Sequence, residues 1–157
     1  MLYYVDTSVI GHAILPDGDP RAASWATAVQ AGGSELVSSR LLRLELTRLV
    51  RRLGLDLALV DQAVSRVNLV DIDPPVLRQA EGIQHHVKSL DAIHLGTALS
   101  VDPTLTLVSH DTVMLLGART LGLRAFDPLE AALDSQPEGS QTDSREKQGD
   151  RQPDRPG

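Results

Sequence analysis

Apolar residues occur along this chain in short solid runs, separated by longer stretches where they recur every three or four positions. Leu2–Val5, Glu35–Ser38, Asn68–Ile72, Thr104–Val108 and Leu123–Phe126 read as strands. The periodic stretches read as helices. Ser8–Leu15 is closed by Pro16-Asp17-Gly18, and Pro20 opens Arg21–Ala31, which Gly32-Gly33 ends. Arg40–Leu53 carries apolar residues at 41, 42, 46, 49, 50 and 53, and Gly54 separates it from a partner helix, Leu55–Val67. Asp73-Pro74-Pro75 starts a further helix, Ser89–Ser100 is another, and Thr112–Leu121 stops at Gly122.

Strands that alternate with helices and are apolar almost throughout predict an α/β domain with a parallel sheet covered on both faces. The domain spans residues 1–133, enough for a real core. Residues 134–157, DSQPEGSQTDSREKQGDRQPDRPG, contain no aliphatic or aromatic side chain and are expected to form a disordered polar tail. No internal repeat at solenoid periods is present. In open parallel sheets, ligands sit beyond the carboxyl ends of the strands. Asp6 follows the first strand directly and Asp111 stands just past Thr104–Val108, so folding brings two acids to one sheet edge.

Composition narrows the picture. No apolar run approaches membrane-spanning length, and the start lacks the basic segment of a signal peptide, so no membrane association is expected. The absence of cysteine excludes disulfides, thiolate metal sites and cysteine nucleophiles, and it fits a reducing cytoplasm. A formal charge of −6 argues mildly against a sequence-independent nucleic-acid binder. Acids gathered around metal ions, however, would make a chain acidic while a separate basic face met phosphates. Aromatic residues make up only 3%, so any RNA contact should rest on shape and phosphates rather than on base stacking.

Four acids interrupt apolar surroundings: Asp6 in YYVDTSVI, Glu45 in LLRLELTRL, Asp91 in KSLDAIHLGTAL and Asp111 in LVSHDTVML. Asp6 and Asp111 can act simply as helix caps, and Ser89 can cap the helix whose first turn holds Asp91. Glu45 is mid-helix on the apolar face, four residues after Leu41 and four before Leu49. Arg48 can pair with it. Taken together, four converging carboxylates would repel strongly, by roughly 4 kcal/mol per pair at 4 Å and an effective dielectric of 20. A hard divalent cation, Mg²⁺ or Mn²⁺, reverses that sign. None of the five histidines forms a metal-binding signature, and they read as ordinary, partly exposed residues, with His94 on the same helical side as Asp91. Arg40, Arg43, Arg48, Arg51 and Arg52 read as a solvated face or as a strip for RNA phosphates.

The runs YYVDTSVI, RLLRLELTRLVRR, KSLDAIHLGTAL and LTLVSHDTVMLLGARTLGL resemble the PIN-domain ribonucleases, and within them the VapC-type toxins of bacterial toxin–antitoxin pairs. The resemblance covers residues 2 to 128. It implies a three-layer α/β/α domain and a Mg²⁺-dependent endoribonuclease, with Mn²⁺ as a possible substitute. It also implies inhibition by a cognate antitoxin and a homodimer. Asp6 and Asp91 match the principal metal-binding acids, Glu45 the helix-borne acid and Asp111 the fourth acid. Thr7 and Ser8 match the hydroxyls after the first Asp, and Ser109 stands where threonine is commoner. Gly96 stands where alanine is usual. Metal at these acids would activate a coordinated water, and Ser8 or Ser109 would orient a phosphate oxygen or that water. The family's antitoxins are expected across the acidic cleft; Leu55, Leu57, Leu59 and Val60 read first as core packing and second as candidates for their groove. A housekeeping nuclease of RNA maturation and a catalytically silent binding module are the alternatives.

Overall fold

In the computed structural model, which describes residues 1–130, five strands form one parallel sheet. They are β1 (Leu2–Val5), β2 (Glu35–Ser39), β3 (Asn68–Val70), β4 (Thr106–Val108) and β5 (Arg124–Phe126), in the spatial order β3-β2-β1-β4-β5. The helices are α1 (Thr7–Ile14), α2 (Pro20–Ala31), α3 (Leu41–Arg52), α4 (Ala58–Val64), α5 (Pro74–Glu81), α6 (Ser89–Val101) and α7 (Thr112–Thr120). They cover both faces of the sheet, giving the three-layer α/β/α architecture expected. The polar tail expected over residues 134–157 lies outside the described residues.

Strand alternation divides the core. Val5, Leu36 and Val108 face one layer with Val9, Leu42, Leu46 and Val60 of α1, α3 and α4. Tyr4, Val37 and Leu107 face the other with Leu95, Met114 and Leu115 of α6 and α7. Leu46 and Leu107 have no exposed surface; burying a side chain of that size contributes about 1.5–3 kcal/mol. Between α5 and α6 the approach is very close. A Cβ on Gly96 would lie 2.9 Å from the Ala80 nitrogen and 3.0 Å from the Val76 oxygen, which accounts for glycine where the family resemblance leads one to expect alanine.

Several element ends differ from the sequence expectation, two of them for an identifiable local reason. The helix expected from Leu55 begins only at Ala58, because the Asp56 carboxylate accepts from the Ala58 N–H at 2.9 Å and holds a turn. The fourth strand begins at Thr106 rather than Thr104, since Asp102 accepts from both the N–H and the hydroxyl of Thr104. Ser89 does not cap α6; Lys88 occupies that position without a side-chain cap.

Candidate functional site

From β1 the chain runs through α1 and α2 to β2 and through α3 and α4 to β3, always outward on one side. It then crosses back through α5 and α6 to β4, on the other side of β1. The two directions part between β1 and β4, and a crevice opens beyond strand ends at such a point. Asp6 lies there, its N–H donating to the Val108 carbonyl at 3.3 Å.

Asp6 is only 4% exposed, yet both its oxygens are engaged. Oδ1 accepts from the Ser8 N–H (3.1 Å), the Ser8 hydroxyl (2.6 Å) and the Val9 N–H (3.3 Å), capping α1. Oδ2 accepts from the Ser109 hydroxyl at 2.6 Å. Each serine also receives a backbone N–H from the loop after β4: His110 donates to Ser8 Oγ at 2.8 Å and Asp111 to Ser109 Oγ at 2.9 Å. A hydroxyl has one proton to give. Both serines spend it on Asp6, which stitches the start of α1 to the end of β4. Burial pushes the Asp6 carboxyl above the ordinary range, opposed by the Ser109 and Ser8 hydrogen bonds.

Glu45 does not pair with Arg48. Its Oε2 accepts from His94 Nε2 at 2.9 Å and from the Thr7 hydroxyl. Burial works to raise its pKa, but the hydrogen bonds from His94 and Thr7 together with His94 electrostatics outweigh it, and the carboxyl falls below the usual range. His94, expected to be partly exposed, is only 2% exposed, with Nδ1 2.7 Å from the Tyr4 hydroxyl. It sits on the α6 face that packs inward, and it lies within electrostatic reach of Asp6, Glu45 and Asp91. Its only sequence signal was the three-residue step from Asp91; the Tyr4 partnership needed the fold.

Asp91, in the first turn of α6, is half-buried, and among the described residues its side chain makes no ion pair. Burial raises its pKa, and the charge of Asp111 raises it further. Asp111 caps α7 through Oδ1, which accepts from Val113 N–H at 2.7 Å and Met114 N–H at 3.2 Å. Asp91 and Asp111 are thus brought together, while Asp6 is held by serine hydroxyls and backbone N–H groups and Glu45 by His94 and Thr7. Among the described residues no group of three or more acids or imidazoles is gathered closely enough to hold an ion as it stands. The donor set nonetheless fits a hard cation: the oxygens are carboxylates, no thiolate is present, and the repulsion between Asp91 and Asp111 is what a cation relieves.

An open groove of about 860 Å³ leads away from this cluster. Thr7, Ser8 and Glu45 line it together with Arg48, Arg51 and Arg52. Arg40 and Arg43 point elsewhere, paired with Asp71 and Asp61. Arg48, Arg51 and Arg52 make no ion pair among the described residues. His110 instead pairs with buried Asp127 at 2.6 Å, edge-on to His12. No helix among the described residues is long and apolar enough to cross a membrane.

Fold and site together define a parallel α/β domain with a buried carboxylate, Asp6, at the strand-order switch. The family model of the PIN domain matches residues 3–115, and the chain belongs to the PIN domain family. It is 32% identical over 133 residues to Ribonuclease VapC47 of Mycobacterium tuberculosis (strain CDC 1551 / Oshkosh), covering 81% of this chain and 97% of that protein. Its fold is similar to that in the structure of VapBC2 from Rickettsia felis bound to a promoter DNA fragment (TM-score 0.65, 14% identity, 81% of this chain and 98% of that one). It is also similar to that in a toxin–antitoxin complex from Klebsiella pneumoniae (TM-score 0.61, 18% identity, 80% and 97%).

Proposed function

We propose that this protein is a Mg²⁺-dependent endoribonuclease acting as the VapC-type toxin of a toxin–antitoxin pair. The observation that carries this reading is the Asp6–Ser8–Ser109 knot at the strand-order switch, with the repelling pair Asp91 and Asp111 and the helix-borne Glu45 close by. Its likeness to a ribonuclease over 81% of the chain supports the activity. Asp6 and Asp91 would be the principal holders of the ion, with Glu45 and Asp111 completing the acidic set. The ion, when bound, supplies Lewis-acid activation of water and of the attacked phosphodiester.

The chain's own residues do the rest. Ser8 and Ser109 orient the Asp6 carboxylate through its two oxygens. Thr7 and His94 do the same for Glu45. Arg48, Arg51 and Arg52 offer exposed guanidinium groups along the groove, suited to phosphates of a single strand. An antitoxin is the expected partner, because the structural neighbours include toxin–antitoxin complexes. It would cover this groove, and a homodimer is the assembly expected.

Asp6→Asn and Asp91→Asn should each lower RNA cleavage by more than about 100-fold, the loss of a few kcal/mol of transition-state stabilisation. Circular dichroism should show an intact fold. EDTA should stop cleavage by the unaltered protein, and Mg²⁺ or Mn²⁺ should restore it. Full cleavage by both variants would overturn the assignment. A gene for a short antitoxin directly upstream separates a toxin from a housekeeping nuclease.

A further inference from the structure

We propose that His94 is a positioning residue: the buried Tyr4–His94 pair holds Glu45 in one orientation, so that Oε2 is tied up and Oε1 is left to serve the site. This rests on the reading of Glu45 as part of the metal-binding set.

The chain of donors begins in the sheet. The Ser39 N–H donates to the Tyr4 hydroxyl oxygen at 3.1 Å, filling one of its acceptor positions. Burial pushes the Tyr4 phenol up to about 12, so it keeps its proton throughout the working range. That proton is assigned to His94 Nδ1, 2.7 Å away, with the Ser39 hydroxyl 3.4 Å from the same nitrogen. The ring's Nε2 faces Glu45 Oε2 at 2.9 Å and carries the hydrogen of that bond. A carboxylate can only accept, so the direction is set at the Glu45 end of the relay. The Thr7 hydroxyl donates to the same oxygen. Glu45 on α3 is thereby tied to α6 through His94 and to the start of α1, beside Asp6, through Thr7. Among the described residues Oε1 takes no hydrogen bond. A glutamate side chain on a half-exposed helix position otherwise has free rotamers and open water to turn toward, and it would lose its aim. The imidazole, 2% exposed, has no such freedom.

The relay is tested in two independent ways. In the unaltered protein, ¹⁵N NMR of the imidazole should show His94 protonated at Nε2 with Nδ1 accepting a hydrogen bond; a proton on Nδ1 alone would overturn the proposal. Mn²⁺ affinity by calorimetry and steady-state RNA cleavage are then compared across variants. His94→Leu should lower Mn²⁺ affinity and kcat by about 10–100-fold, the usual effect of losing an outer-shell partner, with KM for RNA unchanged. His94→Gln, whose amide nitrogen reaches the Nε2 position, should recover most of both. Tyr4→Phe should lie between the unaltered protein and His94→Leu. Unchanged Mn²⁺ affinity in a folded His94→Leu protein would overturn positioning, and so would a glutamine variant as impaired as the leucine one. If His94→Leu does not fold, Tyr4→Phe, His94→Gln and the tautomer measurement decide. Absence of RNA cleavage by the unaltered protein, with Mn²⁺ binding and the relay intact, would instead count against the ribonuclease reading alone.

Discussion

At Asp6 the two oxygens serve different elements: Oδ1 caps the first turn of α1 and Oδ2 accepts from the Ser109 hydroxyl across the crevice. Capping therefore leaves the other oxygen of each acid open to a second role: Asp111 likewise caps α7 through Oδ1 alone. Asp19 is a cap of the ordinary kind, and it permits a pH prediction. Its Oδ1 accepts from the Arg21 N–H at 2.9 Å, and the Arg21 guanidinium grips the carboxylate at 2.7 Å. Those hydrogen bonds hold the Asp19 carboxyl at about 2, below its usual 3.8. A folded-state pKa below the unfolded one means stability that is fully present above 3.8 and is lost as pH falls toward about 2. Asn is as good a cap as Asp but forms no ion pair. Thermal denaturation should therefore show Asp19→Asn less stable than the unaltered protein at neutral pH, with the gap closing through that acidic window. A gap that persisted at the acid end would mean that the ion pair is not its source.

Secondary structure was legible for a physical reason: parallel strands buried on both faces must be apolar almost throughout, so LYYV and TLV stand out against the periodic helices. Ends were less legible, because Asp56 and Asp102 each bend the chain through side-chain hydrogen bonds that no periodicity announces. The α5–α6 contact makes a prediction for the element. Gly96→Ala places a methyl group against the Ala80 and Val76 backbone. Backbone yields less readily than a side-chain tip, so the variant should lose about 1–3 kcal/mol. Urea unfolding should show a lower midpoint with an unchanged slope. Helix ends follow simpler rules. Gly122, at φ +83°, closes α7 in a conformation that other residues adopt only under strain.

On the scale of the whole molecule, the net charge of −6 conceals a division of labour. Asp6 lies at the strand-order switch, while the arginines unpaired among the described residues line a groove that also holds Thr7, Ser8 and Glu45. Replacing Arg48, Arg51 and Arg52 together with alanine should raise KM for RNA and leave kcat nearly unchanged. If each meets one phosphate of a single strand, the slope of log affinity against log salt should fall by about 2. An unchanged slope would show that the phosphates travel elsewhere.

The chain's own order of residues determined the α/β class, the place of each strand and helix and, through four acids set in apolar runs, where chemistry was to be sought. Those are local properties, written in periodicity and in the types of neighbouring residues. Only the tertiary structure decided which partners those acids have. Glu45 could have met Arg48 one helical turn away; instead it meets His94 from α6 and Thr7 from α1. Asp6 meets Ser109, and His94 is sealed in the core against Tyr4. Each of these contacts joins residues far apart in the chain, and which far-apart residues meet is set by how the helices pack on the sheet rather than by any local pattern.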